Sequence, residues 1–306
     1  MFYFHMNKRN RKKLLIGIVF AVLIAGLTIS IVFNILFALF PYKSYLQDTD
    51  EIYIMEAGIL RNNLDFADGE ELTISYDFDS KDFEVLIEKY KIDKIASEGA
   101  EFEKALRLMN EFAPRLTHNS YYDNHIEMNA LDLLQYSLNN KKQGINCRGK
   151  AQILNEMCLA LGIYSRKVWI MPNSGYDNDC HVVNEVWDSQ RNKWVMLDIT
   201  NNEYWVDENS VPLSVLEIRT KGAKREFCTP VKAGDKLEHL QKLQSKYFSD
   251  FLYIMKNMTY MEYCADYGVG ESSHLYLLFP KNLKTSYEFI ISESSVIRAP
   301  NGPQID

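Results

Sequence analysis

Three residues in the middle of the chain, Cys147, His181 and Asp198, have side chains that together can perform nucleophilic catalysis. A thiolate attacks a carbonyl carbon, a histidine beside it moves the proton, and a carboxylate orients the imidazole. Cys147 lies where a polar loop ending at Gly144 meets an apolar stripe typical of a helix. The unpaired N–H groups of a helix N-terminus stabilise a thiolate and can also stabilise an oxyanion. The pattern therefore predicts thiol chemistry on a carbonyl group.

His181 and Asp198 fall in two segments that predict adjacent antiparallel strands, His181–Trp187 and Trp194–Thr200, joined by residues 188–193. If the turn contains two or four residues, the numbers of paired residues sum to 379, 381 or 383. His181 then pairs with an even-numbered residue near Asp198, and the two side chains share one face of the sheet. The spacing therefore allows a direct hydrogen bond between imidazole and carboxylate.

Residues 144–200 resemble the transglutaminase-like superfamily at its three motifs. Gly144–Ala151 resembles the family's cysteine motif. His181–Trp187 resembles its histidine motif, and Lys193–Thr200 resembles its aspartate motif. Where the family usually has Asp-Pro-Thr, this chain has Ile199 in place of the proline. The resemblance implies Cys147 as nucleophile, His181 as base and Asp198 as orienting acid. It also implies an α+β fold with a papain-like core, in which a Cys-bearing helix packs on an antiparallel sheet.

The resemblance leaves the reaction open, because the superfamily includes cross-linking enzymes, peptide and amide hydrolases, and inactive members. Active members share acyl transfer through a thioester, and we expect a peptide or protein substrate and no cofactor. One alternative is a membrane-tethered binding or scaffold module that keeps the fold without turnover. Another is a redox protein in which Cys147 or Cys180 is oxidised, although no CxxC pair accompanies them.

Several further side chains are candidates for minor roles. The amides of Gln143 and Asn146 could assist an oxyanion hole, although residues of these types before a helix more often shape a turn. Cys228 and Cys264 could form a disulfide, but their spacing does not require one. A metal site is not expected, because the histidines beside the Tyr-rich loop, His118 and His125, have no evident third ligand.

A membrane anchor is predicted near the N-terminus. Leu14 to Phe40 runs 27 residues without a charge, and about 20 helical residues span a bilayer. The apolar run is longer than that of a signal peptide and ends in bulky residues, so we expect it to be retained. Five bases between Lys8 and Lys13 precede the run, whereas acids follow it. The positive-inside rule then places the N-terminus in the cytoplasm and the remaining domain outside.

The rest of the chain predicts one large domain. From Pro41 onward 29 Lys and Arg face 41 Asp and Glu, a net charge of −12 that disfavours nucleic acid as a partner. The predicted organisation is listed in chain order: 1–13 cytoplasmic tail, 14–40 membrane span, 41–70 stalk, 71–298 catalytic domain with helical extensions, and 299–306 tail. Outside the core we expect strands at Leu72–Phe78, His274–Phe279 and Phe289–Ile291, and one long helix over Leu237–Tyr263.

Overall fold

The computed structural model describes residues 8–39, 50–177 and 179–300. The chain divides into two units, one ending at Thr49 and the other beginning at Asp50. In the first unit, helix α1 spans Lys8–Leu39, and its residues Lys12–Leu36 form a 25-residue stretch long and apolar enough to cross a membrane. The predicted span is therefore helical as far as Leu39, whereas Phe40 lies outside the described residues. This helix is consistent with a single-pass protein.

The second unit is an α+β domain, as predicted. Its helices are α2 Asp50–Asn62, α3 Lys81–Tyr90, α4 Ile92–Ala96, α5 Glu101–Phe112, α6 Ala130–Asn139, α7 Cys147–Ala160, α8 Val215–Lys224, α9 Leu240–Lys246, α10 Phe248–Lys256 and α11 Glu293–Ile297. Its strands are β1 Ser75–Tyr76, β2 Ser165–Met171, β3 His181–Asp188, β4 Lys193–Asp198, β5 Glu203–Asp207, β6 Cys228–Lys232, β7 Tyr260–Cys264, β8 Asp266–Tyr267 and β9 Leu275–Leu278. Short 3₁₀ turns occupy Ala113–Arg115 and Leu237–His239.

Seven of the strands form one antiparallel sheet in the order β6-β5-β4-β3-β2-β7-β9. Helix α7 packs against the central strands β2 and β3. The Cys-bearing helix on an antiparallel sheet is thus the centre of the domain, which confirms the predicted fold class.

Helix α7 is held in place by its apolar stripe, in which Ile153, Leu154 and Met157 are fully buried. It ends before Gly162, which adopts a left-handed φ of 71° beyond the last turn, a conformation that glycine adopts without strain. The N–H of Ile163 then donates to the carbonyl of Cys158 at 2.9 Å, which closes the last turn and releases the chain toward β2.

The domain begins earlier than the sequence pattern indicates. Helix α2 lies in the range predicted as a stalk, yet Ala57 and Leu60 are buried in the domain, where the helix packs on α8 and α10. The sequence pattern predicted no element for the apolar residues of α2 to pack against, because α8 was not predicted. Residues 41–49 lie outside the described part of the chain.

The C-terminal third also differs from expectation. The long helix predicted over Leu237–Tyr263 is instead a 3₁₀ turn, two short helices and strand β7. Strand β9 confirms the prediction at His274–Phe279, whereas Phe289–Ile291 makes only isolated bridges. The predicted strand Leu72–Phe78 is reduced to the two residues of β1, which pair in parallel with β8.

Candidate active site

The loop before the nucleophile is fixed by a close backbone approach. The N–H of Ile145 donates to the carbonyl of Thr117, and the N–H of Asn119 donates to the carbonyl of Ile145, both at 3.0 Å. Gly144 has φ +69°, and a Cβ there would lie 2.6 Å from the Thr117 carbonyl oxygen. Only glycine fits this position without moving the backbone, which explains why a glycine stands three residues before Cys147.

Asn146 is the N-cap of α7 and starts the helix at Cys147. Its Oδ1 accepts from the N–H of Gly149 at 3.0 Å, and its Nδ2 donates to Asn124 Oδ1 at 3.0 Å. The exposed side chain of Gln143 accepts from the Tyr136 hydroxyl at 2.7 Å. Both side-chain amides therefore stabilise the loop that precedes Cys147. This structural role is separate from the oxyanion-hole role predicted for them. The first N–H groups of α7 are the simpler oxyanion donors.

The hairpin of β3 and β4 brings His181 and Asp198 together. Its register pairs Asp188 with Lys193 and Asn184 with Leu197, a sum of 381, which is one of the predicted values. The turn has four residues, and Asn192 adopts the left-handed φ of 52° that closes it. His181 Nε2 lies 2.7 Å from Asp198 Oδ2, and both residues are almost completely buried. The hydrogen bond allowed by the sequence spacing is present.

Asp198 is held by more than the histidine. One oxygen, Oδ1, accepts the N–H of Thr200 at 2.8 Å and of Asn201 at 3.3 Å, and so shapes the turn after β4. The other, Oδ2, accepts Asn201 Nδ2 at 3.0 Å as well as the histidine. Burial raises the pKa of Asp198, but the His181 charge and these donors outweigh it, and the net direction is downward. Because the carboxylate itself fixes this turn, Ile199 can stand where the family has proline.

The directions of the pKa shifts at Cys147 and His181 favour a thiolate–imidazolium pair. Burial raises the pKa of Cys147, but the hydrogen bond and charge of His181 and the N–H of Val182 lower it, and the net pKa falls below the ordinary value of 9.0. Burial lowers the pKa of His181, but Asp198 and Cys147 raise it well above the ordinary 6.5. Each group thus stabilises the charged form of its neighbour.

The other thiols lack such an environment. Burial raises the pKa of Cys158, Cys228 and Cys264 to about 12 in each case. Burial and the neighbouring Cys147 also raise the pKa of the half-buried Cys180. All five cysteines are free thiols, so the disulfide considered for Cys228 and Cys264 is absent from the described structure. Within residues 8–39, 50–177 and 179–300, no group of three His, Cys, Asp or Glu side chains is arranged to hold a metal ion.

Three residues beside the site were not singled out from the sequence. The Tyr253 ring on α10 packs edge-on against the His181 imidazole, with 5.5 Å between ring centres. Glu203 on β5 is fully buried and pairs directly with Asp198. Lys150 lies one turn after Cys147 on α7 and is 2% exposed. Only Lys150 carried a sequence signal, its three-residue spacing from the cysteine.

Glu203 places a second carboxyl beside Asp198, because paired residues of adjacent strands lie on the same face of the sheet. Its Oε1 accepts from Trp205 Nε1 at 3.2 Å, and its Oε2 lies 3.4 Å from Lys232 Nζ. Lys232 in turn forms an ion pair with Asp250 at 2.7 Å. Burial and the charge of Asp198 raise the pKa of Glu203 to about 8, despite the opposing effect of Lys232. At neutral pH this carboxyl is therefore mostly protonated.

A family profile matches the part of the chain that contains this site. Residues 89–199 match the profile of the transglutaminase-like superfamily, so the chain contains a transglutaminase-like domain. No curated protein matches the sequence significantly. Among solved structures, a candidate cysteine protease from Cytophaga hutchinsonii is similar over 48% of each chain, at 16% identity and a TM-score of 0.31. A Rad4–Rad23 structure bound to a 6-4 photoproduct UV lesion is similar over 71% of this chain and 55% of that one, at 14% identity and a TM-score of 0.24.

The chain thus spans about half the length of these solved structures. The family match, which covers α7 and the hairpin of β3 and β4, supports a general cysteine-enzyme-like function.

Proposed function

We propose that the protein is a membrane-anchored cysteine enzyme that transfers or hydrolyses acyl groups of peptide or protein amides outside the cytoplasm. The observation that carries the proposal is the arrangement of Cys147 beside His181, whose Nε2 is 2.7 Å from the buried Asp198. With Nε2 directed at the carboxylate, the other ring nitrogen, Nδ1, serves the thiol. Nucleophile, base and orienting acid are the three parts that thiol catalysis requires.

The first half of the reaction is acylation. The Cys147 thiolate attacks the carbonyl carbon of the amide, and the carbonyl electrons move onto oxygen, where the first N–H groups of α7 stabilise the charge. The imidazolium of His181 donates its Nδ1 proton to the departing amine as the C–N bond breaks. A thioester on Cys147 and a neutral imidazole remain, with the imidazole held in place by Asp198.

The second half releases the acyl group. His181 removes a proton from water or from a primary amine, whose oxygen or nitrogen then attacks the thioester carbon. The C–S bond breaks, the thiolate returns, and the imidazolium is restored beside it. Water gives hydrolysis and an amine gives a new amide, so the same residues support both outcomes.

The membrane part of the proposal rests on helix α1. Its stretch Lys12–Leu36 is long enough to span a bilayer, and five bases cluster at the N-terminal end of the helix, between Lys8 and Lys13. The positive-inside rule favours a cytoplasmic N-terminus and an extracytoplasmic domain.

The catalytic proposal is tested by comparing the full chain with its Cys147→Ala variant. A mixture of peptides is incubated with each protein, with and without a fluorescent primary amine, and products are identified by mass spectrometry. We expect cleavage or amine incorporation only with the intact cysteine. Cys180→Ala, which removes the neighbouring half-buried thiol, is the matched control and should retain the activity. Equal product from Cys147→Ala and the parent protein would refute the proposal.

A further inference from the structure

Lys150 has an unusual position for a lysine. It lies on α7 one turn after Cys147, so the two side chains share a face of the helix, and helical side chains point back toward the N-terminus. The residue is 2% exposed. Its ammonium is therefore directed along the nucleophile's face of α7 and away from bulk water.

Lys150 also differs from the other buried cations of the domain. Arg166 pairs with Glu185 at 2.6 Å, and Lys167 pairs with Glu271 at 2.6 Å. Arg219 donates to the backbone carbonyl of Met258 at 2.9 Å. The backbone N–H of Lys150 donates to the carbonyl of Asn146 at 3.1 Å, but its side chain makes no hydrogen bond or ion pair with any residue in the described part of the chain. A buried charge without a partner is costly, and an anionic ligand that supplies the missing contact would offset this cost.

The charges that act on Lys150 are those of active-site residues. Burial lowers the pKa of its ammonium, whereas Asp198 and Cys147 raise it. The ammonium in turn helps burial to lower the pKa of His118, whose Nε2 is hydrogen-bonded to Ser120 at 2.9 Å. These effects agree with the position of Lys150 one turn after Cys147, and the lowered pKa of His118 favours its neutral form.

We propose that Lys150 forms a carboxylate-binding subsite beside Cys147, so that the acyl substrate carries a carboxylate close to the scissile amide. This inference rests on the proposed function, because it names the substrate class of the same site. With a thiolate at Cys147, an imidazolium at His181, a carboxylate at Asp198 and an ammonium at Lys150, the charges of the site cancel. A carboxylate adds one negative charge near the buried Asp198, whereas a dianionic phosphate would add two, so the carboxylate is favoured over phosphate.

The test uses two alkylating reagents of nearly the same shape, iodoacetate and iodoacetamide. In both reactions the Cys147 sulfur attacks the methylene carbon and iodide leaves, but only iodoacetate carries a carboxylate. Because the imidazolium of His181 also attracts anions, the informative quantity is how the ratio of the two rates changes with residue 150. Rates are measured on Cys147 by mass spectrometry at constant ionic strength.

Lys150→Met keeps an unbranched side chain one atom shorter than that of lysine and removes its charge. We expect it to lower the iodoacetate-to-iodoacetamide ratio about ten- to hundredfold, as removal of one nearby charge in a partly buried site implies. Lys150→Arg should keep most of the ratio. Lys142→Met, which removes an exposed lysine from the loop before α7, is the matched control and should leave the ratio unchanged.

An unchanged ratio in a folded Lys150→Met protein would overturn the subsite. If that variant does not fold, the parent protein is alkylated in the presence of either acetate or acetamide. Acetate should slow alkylation of Cys147 more than acetamide does, and equal effects of the two would count against the subsite. Failure of the proposed function looks different, because Cys147 would then react no faster than Cys180 with either reagent.

Discussion

Replacing Asp198 by Asn separates the chemical role of this residue from its structural role. The amide oxygen of Asn can still accept the N–H groups of Thr200 and Asn201, which Oδ1 now accepts at 2.8 and 3.3 Å. The amide nitrogen then replaces Oδ2 and directs its hydrogens at His181 Nε2 and at the Asn201 amide, two groups that now donate to Asp198. The turn is retained, whereas the imidazole loses its charged acceptor.

The magnitude follows from the lost hydrogen bond. A hydrogen bond to a charged group contributes about 1.5–3 kcal/mol, and about 1.4 kcal/mol corresponds to tenfold in rate. We therefore expect Asp198→Asn to slow alkylation of Cys147 by iodoacetamide at neutral pH about ten- to hundredfold. Turnover on an amide substrate, in which His181 must also donate a proton, should fall further, toward the ~10⁴-fold loss seen for serine triads.

The assay compares residue-resolved alkylation and thermal melting on the same protein. The predicted result is a large loss of Cys147 reactivity with a small change in melting temperature. If Asp198 only caps the turn, the opposite is expected: early melting with unchanged Cys147 reactivity. That second result would refute the assignment of Asp198 as the orienting acid.

Three further predictions address other parts of the structure. The pKa of Glu203 is raised from 4.5 to about 8, so between these pH values the folded state holds a proton that the unfolded state releases, and this group makes stability fall as pH rises. Glu203→Gln should remove this contribution to the slope of melting temperature against pH. An unchanged slope would contradict the prediction. Gly144→Ala should destabilise the domain by about 2–4 kcal/mol, because backbone strain at a positive φ and a steric clash with Thr117 combine. Gly162→Ala is the control: Gly162 has a similar φ of 71° but open space around it, so the substitution should cost only the backbone strain of about 1–2 kcal/mol. Protease added to intact cells should degrade the domain beyond α1, and protection until lysis would reverse the proposed orientation.

The core of the fold could be predicted because its signals are local. The stripe on α7 has helical spacing, and the segments of β3 and β4 alternate around a short turn, so the register restricted His181 and Asp198 to one face. The sum of 381 observed in the hairpin is one of the three values that an even-length turn within residues 188–193 allows. The family resemblance then added the roles of the three residues, which no spacing rule supplies.

The remaining parts depend on tertiary contacts that leave no local pattern. Glu203 pairs with Asp198 only because β5 returns beside β4 after a turn in which Asn202 adopts a left-handed φ of 52°. Tyr253 reaches His181 from α10, far along the chain. The sequence of helix α2 indicates a stalk, because its packing against α8 and α10 is not evident from the local pattern. In each case the partner, which lies elsewhere in the sequence, decides the structure.

The central claim, a thiolate–imidazolium pair at Cys147 and His181, is tested most directly by the pH dependence of cysteine alkylation, read residue by residue. The structure predicts that Cys147 titrates below the ordinary thiol pKa of 9.0, while buried thiols such as Cys158, with a pKa of about 12, stay unreactive near neutral pH. In His181→Gln, the pKa of Cys147 should rise, because burial then acts without the opposing charge. A Cys147 that titrates at or above 9.0 in the parent protein, unaffected by loss of His181, would contradict the account.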